Sequence, residues 1–181
     1  MPRRKIETID SHTTDIADSW ARERPELDQD SLLHLIYLMR AGRVLDRNYD
    51  SYTRRVFGIS GADMRVIFAL RRAGAPYARR PTDLYRALLV TSGAITKQVD
   101  RLAKLGFVRR RPDRANGGGF QVELTDKGLD AADRAIKAVA DSVFLRDGHN
   151  PLTARERATL IALCSKLLSN LEQPEDDAPE D

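Results

Sequence analysis

Cysteine occurs once in this 181-residue sequence, at Cys164, which excludes an internal disulfide framework and a cysteine-based zinc site. Histidine is scarce as well: His12, His34 and His149 fall in different predicted elements, with no carboxylate or cysteine at ligand spacing, so neither a metal nor another cofactor is expected. No apolar run approaches the ~20 residues that span a bilayer. The basic start MPRRKIETID is not followed by an apolar segment of the kind a secretory signal needs, so the expected location is the cytoplasm, with no membrane partner. The phosphate-binding G-x-x-x-x-G-K-[ST], the zinc-binding H-E-x-x-H and the nucleophile-bearing G-x-S-x-G are missing too, and the one glycine cluster, GGG, runs into a strand pattern rather than a helix. Catalysis is therefore not expected. There is no internal repeat and no low-complexity core segment.

What is present is cation, concentrated in one place. Net charge is only +3, yet residues 79–114 hold ten Lys or Arg against three Asp, while the last ten residues, EQPEDDAPED, hold six acids and no base. Local positive charge on an otherwise balanced chain points to nucleic acid, and the acidic end reads as a solvated, disordered tail over residues 173–181. Residues 1–12 are expected to be flexible.

Hydrophobic periodicity organises the rest as one domain over residues 13–172. TTDIADSWARE predicts a short helix carrying Trp20, ended by the turn at Pro25, and a long helix follows from about residue 30 to 57. Ser60 is a candidate N-cap and Gly74 a stop for the next helix, and Pro81-Thr82-Asp83 opens another. Thr91 can cap SGAITKQVDRLAKLG, a helix whose Ile95, Val99 and Leu102 share one side while Gly93, Lys97, Asp100 and Lys104 share the other, flanked by Ser92 and Thr96. Gly106 should end it. FVRRR and FQVEL then form a two-stranded hairpin, with Phe120, Val122 and Leu124 inward and Gln121 and Glu123 outward. Two final helices are expected over residues 126–145 and from Thr153, where Thr153 and Glu156 have capping-box spacing. The last carries an apolar stripe of Leu160, Leu163, Cys164, Leu167, Leu168 and Leu171, in which Cys164 is read as a small buried hydrophobe.

Helix, turn, helix and hairpin in that order make a winged helix-turn-helix, so the fold class is mainly α with a small β-wing. A DNA-binding lobe over residues 58–125 is flanked by a helical dimerisation region over residues 13–57 and 126–172. The helix from Thr91 fits a major groove of double-stranded DNA, where Lys97 can donate to guanine, Ser92 and Thr96 can bond bases or phosphates, and Gly93 permits close approach. Arg101, Arg109 and Arg111 complete the basic surface. Within the RRR run alternation should turn one arginine toward the protein, and Arg114 at the wing tip can reach a phosphate or the minor groove. The stripe on the last helix and the Leu32–Met39 face leave more apolar surface than one chain covers, which predicts a homodimer.

PTDLYRALLVTSGAITKQVDRLAKLGFVRRRPD and VELTDKG resemble the MarR family of bacterial transcriptional regulators, through VDRL, LGFVRRRPD and LTDKG and through the helix order over residues 30–172. The resemblance implies a homodimer built by the first and last helices, a repressor released from a pseudo-palindromic operator by a small anionic or aromatic ligand. Many members carry Asp-Arg-Arg at the wing tip, where this chain has Asn116-Gly117-Gly118. DSWAR and RRAGAPY resemble the urate-responsive branch, which adds an N-terminal helix. Trp20 and Arg110 match its ligand positions, but Arg65 stands where the branch has an acid and Gln98 where it has an arginine. The ligand these four residues imply is an anionic aromatic other than urate. The competing reading is a ligand-independent architectural or interaction protein that binds DNA without discriminating bases.

Overall fold

The computed structural model describes residues 11–113, 119–145 and 148–172. Of the segment expected to be flexible over residues 1–12, residues 1–10 lie outside the described residues, as do Arg114 with Asn116-Gly117-Gly118 and the acidic tail at 173–181, whereas residues 11 and 12 open a helix. The chain divides after Lys137 into two compact units.

In the first unit α1 (Ser11–Glu23) precedes α2 (Gln29–Phe57), which is capped by the Asp28 carboxylate accepting from the Asp30 N–H. Next comes α3 (Gly61–Arg71), opened by a reciprocal capping box: the Ser60 hydroxyl accepts from Asp63 N–H, and the Asp63 carboxylate accepts from Ser60 N–H. This helix is the centre of the unit, with Met64, Val66, Ile67 and Leu70 fully buried. A two-residue strand β1 (Ala78–Arg79) leads into α4 (Pro81–Leu88), whose Leu84 is buried, and then α5 (Ser92–Lys104) presents Ile95, Val99 and Leu102 to the same core.

Strands β2 (Val108–Pro112) and β3 (Phe120–Leu124) pair antiparallel, with Val108 opposite Leu124 and Pro112 opposite Phe120. The expected hairpin is in fact part of a three-stranded sheet, in the order β1-β3-β2. β1 was invisible to periodicity because two residues cannot display a period of two; it is fixed instead by Ala78 and Arg79 pairing with Glu123 and Val122. A second difference concerns Glu123, expected outward but buried. It sits opposite Arg109 in the ladder and receives that guanidinium, so its charge is paired rather than solvated.

The first part of α6 (Asp126–Ala140) closes this core with Ala131, Ala132 and Ala135, and its start explains LTDKG physically. The Thr125 hydroxyl donates to the Gly106 and Phe107 carbonyls at 2.7 and 3.1 Å, the Lys127 ammonium donates to the Leu105 carbonyl at 2.7 Å, and a Cβ on Gly128 would collide with the Phe107 carbonyl oxygen. The motif fastens the junction between α5 and β2. α6 stops five residues short of the expected Leu145. There the chain turns, with Ser142 at φ +58° and the Val143 N–H donating to the Ala138 carbonyl. The second unit contains this turn and α7 (Ala154–Leu171), where Thr153 and Glu156 form the expected capping box. No residue of α7 is buried, and Cys164 is half-exposed rather than buried. Among the described residues no helix is long and apolar enough to cross a membrane, and no group of three or more metal-ligating side chains occurs.

Candidate nucleic-acid interface

Two faces of α5 meet different environments because the sequence alternates at helical spacing. Thr91 caps the helix by accepting from Ala94 N–H at 3.2 Å, and Ile95, Gln98, Val99 and Leu102 are buried. Ser92, Gly93, Thr96 and Lys97 are exposed on the opposite side. The Thr96 hydroxyl donates to the Ser92 carbonyl at 3.0 Å, which fixes its rotamer and leaves its oxygen lone pairs outward. Gly93 has helical backbone angles, and an added Cβ would meet nothing within 4 Å. The fold itself does not require glycine there.

The arginines divide by partner. Arg101, counted with the DNA-facing cations, is held instead by Asp63 of α3 through two charge-assisted bonds, Nε to Oδ2 at 2.8 Å and a terminal nitrogen to Oδ1 at 2.5 Å. Asp63 is only 1% exposed, so this pair anchors α5 to the capped start of α3. Asp50 of α2 continues the chain of contacts, accepting from Gly61 N–H at 2.8 Å and from Arg54 at 2.7 Å. The Arg54 guanidinium and the Gly61 N–H hold the Asp50 carboxyl below its ordinary range. Arg109 grips Glu123 at 2.8 and 3.2 Å and lowers its carboxyl.

Arg110 pairs with Asp100 and lies 4.8 Å from the Phe120 ring centre, while Arg80 pairs with the buried Asp113 at 2.7 Å. Four of the cations that the sequence concentrates here therefore brace the lobe. Among the described residues Lys97, Lys104 and Arg111 form no ion pair within 4 Å. All three arginines of the run are exposed, and they alternate as expected: Arg110 is the one turned toward the protein, to Asp100 of α5 and the Phe120 ring, while Arg109 pairs with Glu123.

Of the four residues set aside for a ligand, Trp20 is exposed on α1 and Arg65 of α3 pairs with Asp46 of α2, 5.7 Å from the Tyr49 ring centre. Gln98 is buried with its side-chain oxygen lacking a hydrogen bond, and Arg110 is held by Asp100 as above. None of the four lines either described cavity. One is an open groove of about 550 Å³ lined by residues including Ser19, Arg22 and Arg40, and the other, of about 160 Å³, is lined by residues including Arg72, Arg79 and Asp83. The structure does not bring the four together around a described cavity.

Comparison with known proteins settles the family. The model of the MarR family matches residues 57–117, the span from the end of α2 through β2. The transcriptional regulator PecS of Dickeya dadantii is 30% identical over 158 residues, which cover 87% of this chain and 93% of PecS. The chain belongs to the MarR family. The multiple antibiotic resistance protein MarR of Escherichia coli is 33% identical over 110 residues, covering 61% of this chain and 74% of that protein. A solved structure of a mutant E. coli MarR complexed with operator DNA superposes with a TM-score of 0.60 at 27% identity, over 82% of this chain and 97% of that one. Sco3205 of Streptomyces coelicolor, solved in complex with DNA, has a TM-score of 0.69 at 24% identity over 84% and 94%, and shares the fold. This MarR-family chain is thus a transcriptional regulator with a winged-helix DNA-binding lobe. The residues that the sequence missed are Asp63 and Asp50. Only Asp63 had a local signal, the S-x-x-D spacing from Ser60, and that spacing predicts a cap without revealing Arg101.

Proposed function

We propose that the chain is a homodimeric repressor that reads each half of a pseudo-palindromic operator with α5 and flanks it with the wing. The observation that carries this reading is the sidedness of α5. Ser92, Gly93, Thr96 and Lys97 lie exposed on a helix whose other face is locked into the core and whose register is fixed by the Asp63–Arg101 pair. Gly93 supports it further, since among the described residues nothing occupies the space within 4 Å of where its Cβ would stand. Arg111, with Arg114 beyond the described residues, would follow phosphates or the minor groove, whereas Arg109, expected there too, is held by Glu123. The bases would be read by Lys97 and Thr96. Measuring affinity for a duplex selected by the protein from a random pool against unselected duplex, at one salt concentration, tests this: a sequence-specific regulator should prefer the former by ~10³-fold or more. Equal affinities would remove base readout.

Release by a small anionic aromatic effector is the finer part of the proposal. It is supported by the match of Trp20 and Arg110 to the urate-responsive branch and by the unbonded Gln98 oxygen, a buried acceptor that a ligand donor could satisfy. Arg65 and Arg110 would supply positive charge by exchanging Asp46 and Asp100 for the ligand. Those same pairings favour a second reading, ligand-independent DNA binding, because both guanidiniums already have carboxylates and no described cavity includes them. An aromatic acid that quenches Trp20 and weakens DNA binding with a shared midpoint supports the effector; quenching with unchanged DNA affinity supports the second reading.

A further inference from the structure

Leu89 ends α4 in a conformation that favours glycine. Its φ is +53°, the Leu89 N–H donates to the Arg86 carbonyl and the Val90 N–H to the Tyr85 carbonyl, the backbone pattern that closes a helix through one left-handed residue. Glycine would close the same turn without the Cβ clash, and asparagine would ease it because its short polar side chain can hydrogen-bond locally. The leucine side chain gains nothing in return from the free protein, being 81% exposed, the most exposed large hydrophobic among the described residues. Val90 beside it is exposed as well. The inward position of this turn is taken by Leu88, which packs against the core. A strained, solvent-facing leucine is therefore a cost on folding that the fold does not need.

Its place in the chain identifies what covers it. Residues 89 to 93 are exposed without interruption, and they run from Leu89 through the Thr91 cap into Ser92 and Gly93, the first turn of the helix assigned to the major groove. We propose that Leu89, with Val90, is a DNA-contacting residue that closes apolar surface of the operator duplex, a thymine methyl or the carbon face of a deoxyribose, at the wall of the groove entered by α5. This rests on the α5 reading above. Such a contact carries no charge, so it excludes water beside the phosphate and base contacts of α5 without adding to the counterion release that dominates nonspecific binding.

The test compares full-length wild type with Leu89→Gly and Leu89→Asn, two residues that accept the left-handed turn. Without DNA, both variants should melt no lower than wild type, because strain and exposed apolar surface are removed together. Their affinity for the duplex selected by wild type should nevertheless fall about five- to thirty-fold per dimer, with an unchanged salt slope. Replacing thymidine by deoxyuridine in that duplex separates the two apolar surfaces. Loss of affinity by wild type but not by the variants assigns a thymine methyl, and loss by neither assigns the sugar. Unchanged affinity in both variants overturns the proposal, and so does a loss that parallels a lower melting temperature. If wild type prefers the selected duplex while the variants bind it equally well, only the Leu89 assignment fails. If wild type itself shows no preference, the α5 reading fails and the Leu89 contact with it.

Discussion

Lys97 and Arg111 are both exposed and free of ion pairs among the described residues, yet their removal should differ in kind. Lys97 stands on the outward face of α5, so Lys97→Ala should cost about 1–3 kcal/mol on the preferred duplex and relax discrimination at one symmetric base pair. Arg111 lies on the wing strand, and Arg111→Ala should weaken all duplexes alike and lower the salt slope by about one to two units per dimer. Titrations on selected and random duplexes across a salt series separate the two, and an intact preference after Lys97→Ala would move base readout to Ser92 and Thr96. Gly128 makes the corresponding point about stability. Glycine to alanine inside a helix ordinarily gains up to about 1 kcal/mol, but here the new Cβ would strike the Phe107 carbonyl oxygen, so Gly128→Ala should destabilise by about 1–3 kcal/mol. A variant melting higher than wild type would mean that α6 can shift away from the start of β2. The sequence made Lys97 legible because a 100° rotation per residue sorts faces without knowing any partner. It could not reveal the strain at Leu89 or the close approach at Gly128, since both depend on neighbours that only the folded chain supplies.

Helices were legible as elements because their caps are local: Ser60, Thr91 and Thr153 each bond an N–H three residues ahead. The couplings between elements were not, because Asp63 and Arg101 are 38 residues apart and Arg109 and Glu123 are 14. The first coupling has a direct consequence for α5. Arg101→Gln strands a buried carboxylate and should cost about 3 kcal/mol, the low end for breaking a buried pair because the guanidinium is half-exposed. Asp63→Asn should also destabilise, and the double variant should lose less than the two losses added, as thermal or denaturant unfolding would show. If Arg101 positions α5 rather than touching phosphate, Arg101→Gln should leave the salt slope of DNA binding unchanged; a slope lowered by about two per dimer would return it to the phosphate contacts. The wing coupling is sensitive to acid. Arg109 lowers the folded carboxyl of Glu123, so its stabilising contribution is complete above the unfolded carboxyl value and disappears as pH falls through the lower, folded one. The stability gap between wild type and Arg109→Gln should be constant at neutral pH and close in acid, and a gap that widened on acidification would contradict this origin.

For the whole molecule, the proposed homodimer would cover apolar surface that each compact unit leaves exposed on its own. On α2, Met39 is 73% exposed, with Leu35, Leu38 and Leu45 also exposed, and on α7 Ile161 is 67% exposed, beside Leu160, Leu163 and Leu168. Runs of this kind at helical spacing are costly in water and suit burial against another chain. A closed pair of identical chains has a two-fold axis, and that axis dictates the operator: two copies of α5 must enter successive major grooves on one side of the duplex, roughly 34 Å or about ten base pairs apart, at inverted half-sites. Spacing therefore becomes a measurement of assembly. Inserting about five base pairs between the half-sites of a selected duplex turns the second onto the opposite face and should reduce affinity toward that of a single half-site, whereas inserting none preserves it. Ile161→Glu, which places charge on the apolar run without touching the DNA-binding lobe, should yield a monomer by light scattering and the same single-half-site affinity on the uninterrupted duplex. If that variant bound as a monomer with undiminished affinity, or if wild type tolerated the half-turn insertion, recognition would not depend on pairing and the two-fold operator would be wrong.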